Sequence, residues 1–311
     1  MRQDSQLKDP DYFVVGLQKS GSYWISALLD AHPDIRCLPT HYMHNITKGA
    51  TGADEGRIFD MFASLGRDGG EALRFSLANH HGGFFKNIVP LIDGGDGALL
   101  EDALKKRYRE WFVFHNPEGK PIVGDKTTEY VFHLDLIDRW YPRAKKVCIM
   151  RDPKDRVVSW HFHQIRRGRK KEDEPITDEF VVAYIDTQIR REYEALLAYN
   201  GFVHLLTYED LHTAPRDTLA AVVSYLGAPR TTDGILTAMM EAASLEKLRG
   251  EDGVYPEGKK AGKETMLTES HYRKGIVGDS ENYLTDAQRA LIDAHIMPLY
   301  QGVFEKYHAL R

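Results

Sequence analysis

Apolar residues in this chain fall into a few short dense runs, separated by stretches in which they recur every three or four positions. The first run, Phe13-Val14-Val15, has the β-branched and aromatic content of a buried strand. Past Gly16 the period changes. Trp24, Ala27, Leu28 and Ala31 recur at helical spacing, so a helix is expected from about Ser20 to Ser22, stopping at His32-Pro33-Asp34 because proline cannot continue it. His32 reads as structural. Cys37 to His44 reads as an irregular segment. Helices are expected over 55–65 and 98–114. Pro121 to Tyr130 predicts a short strand running into a polar turn, then a helix to about Trp140. Lys145 to Met150 reads as another buried strand, with Pro153 in the first turn of the helix after it. Thr177 is placed to cap a helix whose stripe is Val181, Ile185, Ile189 and Leu196. Phe202 to Thr207 reads as a strand. The helix after it turns Leu219, Val222, Val223 and Leu226 inward and ends at Gly227. Ile235 to Leu248 and a final segment from about Thr285 complete the helical set.

Strands alternating with helices predict an α/β fold: a single domain over 1–311 with a central, mostly parallel sheet flanked by helices on both faces. Residues 45–115 and 250–270 are the least patterned stretches and read as loops or a lid around a pocket.

Composition narrows the function classes. The 311 residues carry a net charge of −5, which argues against broad nucleic-acid binding. No apolar run approaches the roughly 20 residues a membrane helix needs. Met1 to Pro10 is polar and lacks an export signal, so a cytoplasmic setting is expected. The two cysteines, Cys37 and Cys148, form no metal or disulfide framework and are expected to be buried reduced thiols.

The candidate chemistry lies where strands end. Gly16 and Gly21 bracket a loop carrying Lys19, Ser20 and Ser22 between the first strand and the first helix. Such a loop can hold a phosphate-like anion on backbone N–H groups, the helix dipole and a lysine charge. It departs from the nucleoside-triphosphatase loop, which places lysine directly after its second glycine. A tight turn with an incidental lysine is the plainer alternative. Two further segments suit anions: Arg151-Asp152-Pro153 with Ser159 two turns on, and Arg273-Lys274-Gly275. The basic run Arg166 to Lys171 is answered by Glu172, Asp173 and Glu174 and reads as a solvated loop.

Taken together these segments resemble the sulfotransferases that use 3′-phosphoadenosine-5′-phosphosulfate (PAPS). Gln18 to Trp24 is similar to that family's 5′-phosphosulfate loop, and Arg151 through Ser159 to its 3′-phosphate motif. Arg273 to Asp279 is similar to the R-K-G-x-x-G-D motif of the cytosolic branch, and Tyr208 to Leu211 also resembles that branch. The resemblance runs from residue 13 to 282. It implies a P-loop-kinase-like sulfotransferase fold, PAPS as cofactor, adenosine 3′,5′-bisphosphate as product and no metal. It also implies roles. Lys19 with Ser20, Gly21, Ser22 and Tyr23 would hold the 5′-phosphosulfate. Arg151, Ser159, Arg273, Lys274 and Gly275 would grip the 3′-phosphate, and Trp24 and Tyr208 would face adenine. Core packing is the alternative for Trp24. Lys126 corresponds to a second active-site lysine. The branch's catalytic histidine follows a Lys-Thr pair, where this chain has Thr128. The glycosaminoglycan-type branch puts its glutamate base where this chain has His41. His41 is therefore the expected general base, with Glu129, Asp125 and His44 in reserve. A small-molecule acceptor is expected, with no nucleic-acid or membrane partner. Oligomeric state is open, a homodimer included. A P-loop-type kinase and a non-catalytic nucleotide-binding protein stay as rivals.

Overall fold

The structure, a computed structural model, describes residues 7–39, 59, 97–244, 247–248 and 274–309. Among the described residues five strands build one sheet: β1 (Tyr12–Val14), β2 (Ile35–Pro39), β3 (Ile122–Lys126), β4 (Lys145–Met150) and β5 (His204–Thr207). Their order is β2-β3-β1-β4-β5 and every pairing is parallel. Parallel neighbours need crossovers, and the helices supply them. These are α1 (Ser22–Asp30), α2 (Gly97–Phe114), α3 (Leu134–Trp140), α4 (Pro153–Arg166), α5 (Asp178–Tyr184), α6 (Arg190–Ala198), α7 (Tyr208–Thr213), α8 (Pro215–Leu226), α9 (Asp233–Ala242), α10 (Asp286–His295) and α11 (Met297–Ala309).

Alternation along β1 assigns the two faces. Phe13 and Val15 pack with Leu104, Trp111, Val157, Val158, Tyr193 and Leu196 on one side. Tyr12 and Val14 pack with Ile25, Leu28, Leu29, Leu219, Val222 and Met239 on the other. A strand buried on both faces explains the unbroken apolar run in the sequence. Each such side chain, removed from water, stabilises the fold by about 1.5–3 kcal/mol before entropy is counted.

The expected stripes of the Thr177 helix and of α8 are all buried. Thr177 caps α5, accepting from the Phe180 N–H, and Gly227 ends α8 at φ 81°. Three readings shift. Residues 35–39 form a strand where an irregular segment was expected; Arg36 and Pro39 break its apolar run, and among the described residues β3 is its one partner. The inward face of α1 is Ile25, Leu28 and Leu29, with Trp24 and Ala27 at its margin. The final helix is two, α10 and α11, parted at Ile296 just before Pro298. His32 is structural as expected. The Asp34 N–H donates to its Nδ1 (3.0 Å), so Nε2 carries the proton it gives to the Arg230 carbonyl (2.8 Å). The helix expected over 55–65 lies outside the described residues except at Phe59. Both cysteines are buried and unpaired. Among the described residues no helix is long and apolar enough to cross a membrane.

The chain leaves β1 toward β2 and β3, and leaves β4 toward β5. The crevice beyond the carboxyl ends of β1 and β4 is therefore the switch point where ligands of such sheets bind. The Lys19 loop and Arg151 stand on its two lips.

Candidate active site

The chain stays extended past β1, with the Val15 N–H on the Val147 carbonyl (2.8 Å) and the Leu17 N–H on the Ile149 carbonyl (3.3 Å). It then turns sharply. Lys19 has φ 63° and Gly21 φ 89°, both left-handed, and the Ser20 N–H closes on the Leu17 carbonyl (3.1 Å). For a residue with a Cβ that conformation costs roughly 1–2 kcal/mol. Gly16 and Gly21 permit the close approach: a Cβ on Gly16 would meet Ser22 Cβ at 2.5 Å, and one on Gly21 the Tyr208 ring at 2.6 Å. α1 then starts with no side-chain cap and no acidic residue in its first turn. An uncapped helix start of this kind favours an anion.

Gln18 is held from the interior. Arg156 Nε donates to its carbonyl (2.8 Å), and its N–H donates to Glu192 Oε1 (3.0 Å). Arg156 and Glu192 are ion-paired with each other at 0% exposure. Sequence reasoning missed both, because a charged residue within an amphipathic helix reads as a solvent-facing one.

Lys126, at the carboxyl end of β3, is fully buried and sets its Nζ 3.4 Å from the centre of the Tyr23 ring. A cation that close to the aromatic face is attracted by the ring's quadrupole. Thus β3 and the first turn of α1 bring Lys126 and Tyr23 together.

Arg151 ends β4. It donates to Asp155 Oδ2 (3.1 Å) and to the Ile276 carbonyl (2.9 Å), and its guanidinium lies 4.3 Å over the Tyr208 ring. Tyr208 is fixed because Thr207 and Asp210 form a capping box at the start of α7. Trp24 reaches Tyr208 edge-on (5.5 Å between centroids) while its indole N–H donates to the Ala243 carbonyl (3.1 Å). Packing and a site-facing position are both met by this indole. Ser159 is half-buried two turns into α4.

The late segment is tied to the same helix. Asp155 accepts from the N–H groups of Gly278 and Ser280, both at 2.8 Å. Lys274 pairs with Asp279 (3.1 Å) and the Tyr283 hydroxyl (2.9 Å), and Gly275 takes φ 67°. Arg273, His41 and His44 lie outside the described residues.

Two reserve bases are described. Glu129 is half-buried at the turn after β3. Asp125 is buried on the opposite face of β3 from Gly124 and Lys126, accepting from Tyr108 (2.7 Å) and Tyr130. Burial pushes its pKa up to about 6 despite those bonds. His163, not singled out in the sequence, is neutral here: burial, then the charge of Lys19, pushes it down to about 3. Histidine patterns alone could not mark it, since burial dominates its shift and the next cause, the Lys19 charge, comes from a loop far along the chain. Among the described residues no acidic, histidine or cysteine cluster could hold a metal.

The sequence matches the Sulfotransferase family over residues 10–233. The chain belongs to the sulfotransferase family. Two relatives from Arabidopsis thaliana are similar to it. "Cytosolic sulfotransferase 3" is 31% identical over 166 residues, 48% of this chain and 51% of that protein. "Cytosolic sulfotransferase 7" is 28% identical over 175 residues, 51% of this chain and 52% of that one. The chain thus spans about half the length of the curated relatives it matches. Among solved structures, mouse sulfotransferase SULT7A1 complexed with PAP is 16% identical, with a TM-score of 0.56 over 97% of this chain and 85% of that one. Retinol dehydratase in complex with androsterone and inactive cofactor PAP is also 16% identical, with a TM-score of 0.51 over 95% and 82%. These likenesses show the shared fold.

Proposed function

We propose that this sulfotransferase-family chain moves a sulfuryl group from PAPS to a hydroxyl or amine of a small molecule and releases adenosine 3′,5′-bisphosphate. The observation that carries the reading is the crevice itself. An anion loop with Lys19 forms one lip, Arg151 the other, and the Trp24–Tyr208 aromatic pair adjoins both. That arrangement suits a nucleotide with two anionic ends. The residues present fit such a group: Ser20 Oγ and Arg151 Nε are buried with no hydrogen-bond partner among the described residues, and neither Gly16 nor Gly21 has room for a Cβ.

PAPS, when bound, supplies an activated sulfuryl group. Lys19 and the N–H groups of residues 20–23 hold its 5′ end, and Lys19 places positive charge at the oxygen that leaves. Arg151 offers a planar fork to the 3′-phosphate, joined by Ser159, Arg273, Lys274 and Gly275. Trp24 and Tyr208 hold the adenine. Lys126 supplies a second charge at the transferred group. His41 takes the acceptor's proton, an imidazole titrating near neutrality being suited to that work. On that role His41→Ala lowers turnover by about 10²-fold with nucleotide affinity kept; an unchanged rate moves the base to Glu129. The names of the plant relatives favour a cytosolic setting.

The deciding experiment is calorimetric titration of adenosine 3′,5′-bisphosphate against ADP and ATP at fixed salt. Binding that collapses without the 3′-phosphate supports the reading. Preference for ATP, or no binding, sinks it and returns the chain to the kinase or non-catalytic alternatives.

A further inference from the structure

Beneath the Lys19 loop lies an ion pair that the chemistry above leaves without a role. Arg156 and Glu192 are both fully buried, on α4 and α6, and bonded to each other. Taking two charges out of water is unfavourable, and a well-packed apolar pair would often serve stability as well or better. A buried pair kept in such a place asks what else its atoms do. Here they hold one peptide unit from both sides. Arg156 Nε donates to the Gln18 carbonyl (2.8 Å) and Glu192 Oε1 accepts from the Gln18 N–H (3.0 Å). Gln188 Nε2 donates to the same carboxylate oxygen (2.7 Å), fixing its orientation. The residue immediately after this clamped unit is Lys19, in the left-handed conformation at φ 63°. A lysine does not take that conformation unless its surroundings impose it.

We infer that Arg156 and Glu192 are a positioning pair, which holds Gln18 so that Lys19 and the N–H groups after it stand ready for the anion before it arrives. Neither side chain touches the reacting groups. Their effect passes through the Gln18 backbone. Arg156 suits the task because its rigid fork can bond the Glu192 carboxylate and a carbonyl at once, which a lysine head on a flexible stem does poorly. Its neighbour Asp155 holds the Gly278–Ser280 segment. Asp155 also accepts from Arg151, so one turn of α4 braces both lips of the crevice.

The role rests on the sulfotransferase reading for its catalytic consequence, but not for its structural one. The test is the double variant Arg156→Met/Glu192→Leu, an apolar pair of similar volume. Three quantities are compared with the parent: the thermal midpoint, amide hydrogen exchange of residues 18–22 in the ligand-free protein, and kcat with KM for PAPS. If the pair positions the loop, the double variant stays folded while exchange at 18–22 accelerates by about tenfold or more. Turnover then falls by about 10²-fold, the scale of a small misplacement, with KM changed far less. A folded double variant with parental exchange at 18–22 overturns the inference. Should the double variant fail to fold, Arg156→Lys decides by the same exchange measurement: faster exchange supports the clamp, and parental exchange refutes it. A parent that binds no adenosine 3′,5′-bisphosphate sinks the functional reading alone, because the exchange comparison still answers for the clamp.

Discussion

The Lys19 loop and the Lys274 segment each join a lysine to a left-handed turn, at Lys19 itself in the first and at Gly275 in the second, yet they are anchored by different physics. Gln18 is gripped on both its polar groups by a buried ion pair, and the next residue carries the strain. The late segment is pinned by Asp155 accepting two N–H groups, and there glycines at 275 and 278 take the positive φ, which they do without strain. Lys274 is 43% exposed and shares its charge with Asp279 and Tyr283. Rigid placement is needed where charge develops during a reaction, because a group that must reorganise stabilises the transition state less. Holding a distant phosphate asks only for affinity, which a half-exposed lysine can supply. On the proposed function, the first loop would serve rate and the second binding.

That contrast breaks most severely at Lys19. Lys19→Ala is expected to lower kcat by about 10²–10³-fold or more, the range seen when one charge-stabilising donor is lost. The thermal midpoint should hold, since the loop is anchored through the backbone of Gln18 and Ser20. Steady-state assay with a fixed acceptor checks it. A variant with near-parental kcat would leave the loop without the chemical role given to it.

Lys274→Ala sharpens the same comparison with a smaller effect of another kind. The lysine must give up part of its bonding to Asp279 and Tyr283 to meet a phosphate, and solvent screens the remainder. A loss of about tenfold in affinity for adenosine 3′,5′-bisphosphate is expected, close to one charge-assisted hydrogen bond. Affinity for ADP, which lacks the 3′-phosphate, should not move, and kcat should stay within a few-fold of the parent. Calorimetry with both nucleotides separates the cases. An equal loss for ADP would place Lys274 away from the 3′ end.

The sequence was readable wherever a local pattern had one physical cause. β4 matched its expected span because Val147 to Met150 is an unbroken apolar run entered from Lys145 and Lys146, and the α8 stripe followed helical spacing residue for residue. The lysine loop was legible because two glycines, a lysine and a change of period sit within nine positions. Elsewhere tertiary context decided. β2 carries Arg36 and Pro39, so only its partner β3 reveals it. Trp24 belongs by spacing to the α1 stripe, but its indole reaches across to Ala243 and Tyr208, moving it to the margin. Arg156 and Glu192 lie 36 positions apart, and nothing local to either marks it as buried. Local signals place the groups that meet a ligand at the strand ends; the groups that hold those in place lie far along the chain.

The last expected effect is on stability rather than turnover, and concerns two buried carboxylates, Glu192 on α6 and Asp125 on β3. Glu192 faces a guanidinium, whereas Asp125, immediately before Lys126, is held by the hydroxyls of Tyr108 and Tyr130. Burial raises the Asp125 pKa from 3.8 to about 6. The sign follows from proton counting. Between those two values the folded chain keeps a proton that the unfolded chain has released, so this group's contribution to stability declines as pH rises from about 4 through 6. Above that range the full penalty applies, on the order of 3 kcal/mol for a shift of this size. Asp125→Asn removes the titration while keeping a carbonyl oxygen for a phenol. Denaturant midpoints of parent and variant at pH 4.5 and 7.5 test this, and the difference between the proteins isolates Asp125 from other titrating groups. The variant should gain stability relative to the parent on going from the lower pH to the higher. Parallel behaviour would mean that the two phenols keep the Asp125 carboxylate ionised across that range, and that a facing guanidinium is not what separates the two sites.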